Sequence, residues 1–284
     1  MDSLLAWRKE FPILDRTTYM ISHSLGAMPR RAAGRLREFS DTWASRGIRA
    51  WEEGWWEMPI TVGNLVGSII GAGEGEVVMQ QNVSICQSIV TSCFDWSGRR
   101  NKLVTDGLNF PSNDYVYHGL ARVGARVESV PSPDSLTLPV ELLLKAIDDE
   151  TQLVSVSHVA FRSSYLQDLA AIVERAHAVG AMVIADLYQS AGTVPVNVRE
   201  LQLDFATGGS VKWLCGGPGS GVPVRAARPL EQAEPYCYGM DGAPRAVRVR
   251  GRADPVRWRR LPLSQRYTER SGFVFGQVGL RNHP

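Results

Sequence analysis

Apolar and polar positions change their spacing several times along the middle of the chain. Short stretches that are mostly apolar or β-branched, such as "KLVTDGLNF" and "TQLVSVSHV", predict buried strands. "LAAIVERAHAVG", residues 169–180, instead places apolar residues three and four positions apart, which predicts a helix that ends at Gly180. "AMVIADLYQSAG" then predicts a further buried strand, with its loop, and Asp186 stands where that strand ends.

The order of these elements predicts the fold class. Strand-like "KLVTDGLNF", "ARVESVPS", "TQLVSVSHV" and "AMVIAD" alternate with helix-like "SNDYVYHGLARVG", "PVELLLKAID" and "LAAIVERAHAVG". Such alternation favours an α/β fold in which a mostly parallel sheet lies between helices. Because ligands bind at the carboxyl ends of the strands in this architecture, Asp186 lies at a predicted ligand site.

One lysine has a setting that a surface lysine does not need. Lys212 lies in "DFATGGSVKWLCGGPGSG", residues 204–221, after a strand-like opening and among apolar residues and glycines. Burial lowers the pKa of a lysine amine and frees the nitrogen lone pair for reaction. Taken singly, Lys212 fits a loop lysine equally well, and Asp186 fits a turn cap.

Taken together, the two residues indicate pyridoxal phosphate (PLP). The ring nitrogen of this cofactor pairs with a carboxylate, for which Asp186 is the candidate, and its aldehyde reacts with an amine, for which Lys212 is the candidate. "QNVS", residues 81–84, predicts a helix start at which the Ser84 hydroxyl and backbone N–H groups bind the phosphate. Phe110, in "NFPSNDY", is a candidate for covering the ring.

Composition narrows the alternatives. Hydrophobic residues make up 44% and charged residues 21% of the 284 residues, as in an ordinary globular protein with a core. The sequence has no run of about eighteen apolar residues and no recognisable export signal, so we expect no membrane partner. The four cysteines have neither metal-like nor disulfide-like spacing, which predicts no metal site and a cytoplasmic location.

Five motifs resemble those of class V, fold-type I PLP enzymes, and within them the kynureninases. They are, in the order of that family, "ISHSLGAMPR", "NVS", "NFPSNDY", "DLYQSAGTVPV" and "GGSVKWLCGGPG", spread over residues 11–221. The resemblance implies a PLP-dependent transferase-like large domain, a homodimer, and a small amino-acid substrate. It also implies hydrolysis of L-kynurenine to anthranilate and L-alanine.

The resemblance assigns roles residue by residue. For the cofactor it implies Lys212 on the aldehyde, Asp186 on the ring nitrogen, Val83 and Ser84 on the phosphate, Phe110 stacked on the ring, and Tyr188 and Gln189 close by. On the substrate side it implies His23 and Ser24, in "SHSLG". His23 fits a loop-capping residue equally well.

Three departures from the family pattern keep other reactions open. Val211 stands where kynureninases often have Tyr, Asn113 replaces an Asp, and "DLYQ" replaces "DxAH". Phe110 favours the kynureninases, because desulfurases and many class V aminotransferases place His there. A class V aminotransferase or lyase, and an inactive truncated fragment, therefore remain as alternatives.

The last 63 residues differ in composition from the rest. Residues 222–284 hold 12 Arg and 5 acidic residues, a net charge of +7, whereas residues 1–221 carry 19 basic and 24 acidic residues, a net of −5. An arginine-rich segment is typical of a nucleic-acid arm. Codons for "VPVRAA" and "RLPLSQRYTER", read one base later, can however encode the family-like "YLYVR" and "AYRFLNGTPN". We therefore interpret the segment as an out-of-frame tail and expect no nucleic-acid partner.

This interpretation divides the chain into three parts. Residues 1–45 are predicted to contribute to a small domain and the substrate-side turn, residues 46–221 to form the PLP-binding domain, and residues 222–284 to be a poorly ordered, non-family tail. In the family, the C-terminal part carries an arginine for the substrate carboxylate and completes the sheet. We therefore expect the small C-terminal domain to be missing or replaced, and the strand after the glycine-rich loop to be absent, which would leave an open sheet edge.

Overall fold

A six-stranded sheet forms the centre of the part of the chain that is described, residues 3–218 and 221–225 of a computed structural model. Its strands are β1 (Lys102–Asp106), β2 (Arg126–Val130), β3 (Thr151–Ser157), β4 (Met182–Asp186), β5 (Phe205–Gly209) and β6 (Gly221–Arg225). The spatial order is β2-β1-β3-β4-β5-β6, in which β1 to β5 are parallel and β6 is antiparallel to β5. The predicted α/β fold with a mostly parallel sheet is confirmed.

The helices and short 3₁₀ segments connect and flank these strands. The helices are α1 (Arg30–Arg46), α2 (Met58–Ile70), α3 (Val83–Thr91), α4 (Pro111–Leu120), α5 (Val140–Ala146) and α6 (Leu169–Ala178). The 3₁₀ segments are Ser3–Glu10, Pro12–Asp15, Gly47–Trp51 and Ala121–Val123. Gly180, at a φ of 75°, follows α6 in the left-handed conformation that the sequence predicts for a helix end. None of the described helices is long and apolar enough to cross a membrane.

The sheet is buried on both faces, which explains the nearly continuous apolar runs in its strands. Leu103, Leu153 and Ile184 lie in one apolar cluster with residues of α3 and α4. Their neighbours in sequence point to the other face, into a cluster with residues of α2, α5 and α6. Because a strand alternates its side chains between faces, only a strand covered on both sides needs this pattern.

The strand β6 corrects one expectation from the sequence. We expected the strand after the glycine-rich loop to be missing, but Gly221–Arg225 pairs with β5 along all five of its residues. Gly221 also exchanges two backbone hydrogen bonds with Gln80, at 2.6 and 2.7 Å. Strand pairing uses backbone groups and so does not require the family's side chains, and Pro223 is tolerated because β6 is the outer strand.

The other predictions about the ends of the chain are not decided by the fold. Residues 226–284 lie outside the described residues, so the out-of-frame, poorly ordered tail stays a prediction. The division at residues 45 and 46 also stays a prediction, and α1 runs across that position. Three tryptophans that follow α1 form a cluster, in which the Trp51 ring lies 4.8 Å from that of Trp56 and 5.5 Å from that of Trp55.

Candidate active site

A cavity of about 390 Å³ lies at the carboxyl ends of β3 and β4, where the fold predicts ligand binding. The starts of α3 and α4 and the loop after β5 complete its wall. Its lining residues are Ser24, Asn82, Val83, Ser84, Phe110, Ser112, Ser157, Val159, Phe161, Asp186, Tyr188, Gln189, Val211 and Lys212. Eight of the nine residues predicted for the site are among them; His23 is not.

The Lys212 amine lies among aromatic rings. Its Nζ is 4.6 Å from the centre of the Tyr188 ring and 5.3 Å from the centre of the Phe110 ring. Burial lowers the pKa of Lys212 below the ordinary value of a lysine, and the negative charge of Asp186 opposes that shift. A larger share of this amine is therefore neutral at a given pH, and a neutral amine is the form that attacks an aldehyde.

Asp186 ends β4 and is only 4% exposed. Its two carboxylate oxygens accept hydrogen bonds from the Tyr188 backbone N–H and from Asn113 Nδ2, both at 2.8 Å. Burial raises the pKa of Asp186, while those two hydrogen bonds and the charge of Lys212 act in the opposite direction. A carboxylate that is held in this way can pair with a cationic group in the cavity.

Asn113 orients the Asp186 carboxylate from α4. Its Nδ2 donates to Asp186 Oδ2 and also to Asn109 Oδ1, at 3.0 Å. Its own Oδ1 is buried and has no hydrogen-bond partner among the described groups. The amide that replaces the family's Asp therefore serves here as a donor to Asp186.

The start of α3 forms another part of the cavity wall, with Asn82, Val83 and Ser84. Asn82 adopts an extended backbone conformation and its Oδ1 accepts the N–H of Ile85 at 3.0 Å, which is an N-cap. Val83 and Ser84 follow in the first turn, whose N–H groups have no partner within the helix. Such a turn favours an anion such as a phosphate. Gly221 packs so closely that a Cβ there would lie 2.6 Å from the carbonyl carbon of Asn82.

Three aromatic residues, Phe110, Phe161 and Tyr188, shape the cavity. Phe110 immediately precedes α4, and its ring lies 5.0 Å from the ring of Phe161 in an edge-to-face arrangement of 75°. The residue Phe110 is 40% exposed, and it lines the cavity together with Phe161. Tyr188 contributes its backbone N–H to Asp186 and its ring to the surroundings of Lys212.

The N-terminal turn reaches the same cavity. Ser24 lines the cavity, whereas His23 is exposed. The carbonyl oxygen of His23 accepts a hydrogen bond from Gln189 Nε2 at 3.1 Å. Gln189 Oε1 accepts the indole N–H of Trp213 at 2.9 Å. His23 and Ser24 stay predictions as substrate-binding residues.

Sequence reasoning missed the contribution of β3. Ser157 pairs in register with Asp186, and Val159 and Phe161 follow it in the wall. The rule that placed Asp186 at the carboxyl edge of the sheet applies equally to the end of the neighbouring strand, so "SHVAF" carried a usable signal. His158, in the same stretch, is 7% exposed, and burial lowers its pKa to about 4.

These residues fit PLP, the cofactor predicted from the sequence. The cavity combines an amine of lowered pKa, a buried carboxylate, an aromatic ring face and a helix start, which are the four features that PLP needs. No group of three or more His, Cys, Asp or Glu residues that could hold a metal ion occurs within residues 3–218.

The fold and the site define an α/β protein with a lysine and a carboxylate facing one cavity. A family description, "Aminotransferase class-V", matches residues 28–248, and the chain belongs to this family. It is 35% identical to a kynureninase of Pseudomonas fluorescens over 229 residues, which is 77% of this chain and 53% of that protein. It is 32% identical to a kynureninase of Burkholderia pseudomallei over 266 residues, which is 89% of this chain and 62% of that protein. The chain thus spans between about half and three fifths of these relatives.

Solved structures share the fold at lower identity. The apo cysteine desulfurase of Thermococcus onnurineus NA1 has a TM-score of 0.72 and 23% identity, covering 84% of this chain and 61% of that one. A mutant of C-DES with glycine covalently linked to its PLP cofactor has a TM-score of 0.73 and 20% identity, covering 84% of this chain and 66% of that one. Together with the family match, these similarities confirm the predicted class V family and the fold-type I architecture.

Proposed function

We propose that this chain is a PLP-dependent hydrolase of the kynureninase type, which converts L-kynurenine and water to anthranilate and L-alanine. The observation that carries the proposal is the position of the Lys212 amine, in one cavity with the buried Asp186 carboxylate and the Phe110 ring. The two kynureninase relatives support the choice of substrate. Because the chain spans only part of their length, the activity of these relatives is a proposal for this chain.

Each wall of the cavity has a task in this proposal. PLP, when bound, supplies an aldehyde for amines and a ring that withdraws electrons from the substrate α-carbon. Lys212 Nζ would hold the aldehyde, since its lowered pKa favours the neutral amine, and would accept the proton of the substrate α-carbon. Asp186 would hold the ring nitrogen in its protonated form, and the first turn of α3 would hold the phosphate.

The substrate side is formed by the N-terminal turn. Ser24 is one of the residues that line the cavity, and its hydroxyl could hydrogen-bond the substrate or the water molecule that attacks the γ-carbonyl carbon. Phe161, which packs edge to face against Phe110, covers an apolar part of the wall that suits the aromatic ring of kynurenine.

A second class V reaction, such as transamination or lysis of a carbon–sulfur bond, is the alternative. The structural neighbours that favour it are a cysteine desulfurase and the cystine C–S lyase C-DES, both below 25% identity. Val211, Asn113 and Gln189 favour it too, because they depart from the kynureninase pattern. Products separate the reactions, since only the proposed one releases fluorescent anthranilate.

We also propose a homodimer. The helix α1 has no buried residue, and large apolar side chains remain exposed on it and on the segment that follows, among them Leu36 at 65%, Trp43 at 65% and Ile48 at 58%. A standard interface buries on the order of 800 Å² per partner, and these side chains would form part of such a surface when a second copy covers them. A cytoplasmic location stays our proposal on the ground of cysteine spacing alone.

The molar mass of the purified chain, measured by light scattering, tests the dimer. Trp43→Glu is expected to give monomers, and Tyr115→Glu, which alters an aromatic residue of α4 that is 74% exposed, serves as the matched control. A monomer for the unaltered chain would refute the dimer.

The cofactor and the reaction are tested on the same sample. We add PLP, follow visible absorbance, reduce with borohydride, and map the modified lysine by mass spectrometry. A single adduct at Lys212, lost in Lys212→Arg and kept in the surface variant Lys145→Arg, is the expected result, followed by anthranilate release from kynurenine. Adducts scattered over surface lysines would reject the proposal and favour the inactive fragment. An adduct at Lys212 with keto-acid product and no anthranilate would favour the second reaction.

A further inference from the structure

The Gln189 side chain bridges two segments that are far apart in sequence. It follows β4 and is 8% exposed. Its Nε2 donates to the carbonyl oxygen of His23 at 3.1 Å, and its Oε1 accepts the indole N–H of Trp213 at 2.9 Å. One amide therefore joins the N-terminal turn to the residue next to Lys212.

The two segments touch at a second point. The backbone N–H of Gly26 donates to the carbonyl oxygen of Val211 at 2.8 Å. A Cβ at Gly26 would overlap the carbonyl oxygen of Lys212, so the backbones are in direct contact. The turn itself is closed by the N–H of Ser24, which donates to the carbonyl oxygen of Ile21 at 2.9 Å.

The chemistry of the two partners explains why an amide stands at this position. An indole N–H can only donate a hydrogen bond, and a backbone carbonyl can only accept one. A side chain that joins them must therefore accept at one end and donate at the other. Gln189 does so in one orientation only, because a flipped amide would face a donor with its own NH₂ and an acceptor with its own oxygen.

We propose that Gln189 is a positioning residue that holds the N-terminal turn against the lysine-bearing loop. Through it, Ser24 on one side and Lys212 on the other face the same cavity at a set separation. The bridge itself is inferred from the contacts of Gln189 alone. Its effect on substrate binding rests on the function proposed above. The residue that replaces the family's His thus acts through Trp213 and His23.

Hydrogen exchange of the purified, PLP-free chain tests the bridge directly. Gln189→Met keeps the length of the side chain but loses both hydrogen bonds, and Trp213→Phe loses one. Trp96→Phe is the matched control, because the indole N–H of Trp96 donates to the carbonyl oxygen of Thr91 at 3.0 Å in the opposite part of the core. Each lost bond is expected to speed exchange in peptides of residues 19–27 roughly fivefold.

Two results would overturn the proposal. One is exchange in residues 19–27 that Gln189→Met and Trp213→Phe leave unchanged. The other is faster exchange of the same size along the whole chain, because that is general destabilisation and Trp96→Phe would produce it as well. If Gln189→Met fails to fold, the comparison of Trp213→Phe with Trp96→Phe decides the question.

Catalysis supplies the second readout. In a chain that turns over substrate, Gln189→Met is expected to raise KM several-fold more than it lowers kcat, while PLP still labels Lys212. Gln189→Glu, which keeps the acceptor for Trp213, should restore part of the effect. A several-fold fall in kcat with an unchanged KM would reject the positioning role. A chain in which PLP does not label Lys212 would refute the proposed function and leave the exchange result standing.

Discussion

Replacing Asn113 by Asp places a second carboxyl group beside Asp186. The amide nitrogen of Asn113 lies 2.8 Å from Asp186 Oδ2, and neither residue is more than 4% exposed. The change exchanges a hydrogen-bond donor for a group that, when ionised, can only accept. The cofactor-binding carboxylate would then face a like charge in place of an amide.

The size of the effect follows from this distance. Two unit charges 2.8 Å apart repel by about 6 kcal/mol at an effective dielectric constant of about 20. The folded variant therefore keeps a proton on the pair at neutral pH, whereas the introduced carboxyl loses it near its ordinary pKa of about 3.9 once the chain unfolds. The folded state binds more protons than the unfolded state, so the stability of the variant falls as pH rises. Over three pH units the loss approaches about 4 kcal/mol.

Urea unfolding at several pH values between about 5 and 8 measures this loss. The relevant quantity is the difference in free energy of unfolding between variant and unaltered chain, because pKa shifts of groups that do not interact with this pair then cancel. Asn101→Asp is the matched control and should show little pH dependence, because among the described groups the Asn101 amide donates to the carbonyl oxygen of Gly124 and to no carboxylate. A difference for Asn113→Asp that is constant over this pH range would refute the reasoning.

Three further outcomes are expected. Asn82→Ala removes the N-cap bond to Ile85 and should lower the free energy of unfolding by about 1 kcal/mol in urea; an unchanged value would mean that solvent replaces the cap. Gly26→Ala places a Cβ against the Lys212 carbonyl oxygen and should cost about 1–3 kcal/mol and slow PLP labelling of Lys212, measured by mass spectrometry. Because burial lowers the pKa of Lys212, its labelling should rise at a lower pH than that of exposed Lys145; coincident pH profiles would contradict this.

Much of the fold is local in origin, and for that reason the sequence determined it. Strands buried on both faces must be apolar along their length, and helices with one buried face must repeat every three to four residues. These periods located β1 to β4 and α4 to α6, and the rule for the carboxyl ends of parallel strands placed Asp186 in a ligand site. Local chemistry also predicted the helix start at Val83, since Asn82 is a good N-cap.

Other features depend on contacts between segments that are distant in sequence, and only the tertiary structure decided them. The pairing of β6 with β5 is made by backbone N–H and C=O groups and not by side chains, so no side-chain pattern indicated it. Asn113 is a donor to Asp186 only because α4 comes to lie beside the end of β4, 73 positions later. Gln189 donates a hydrogen bond to the carbonyl oxygen of His23, which lies 166 positions earlier in the sequence. The Lys212 amine likewise contacts the rings of Phe110 and Tyr188. A hydrogen bond needs two groups within about 3 Å, and sequence spacing does not set that distance; the packing of the sheet and its helices does.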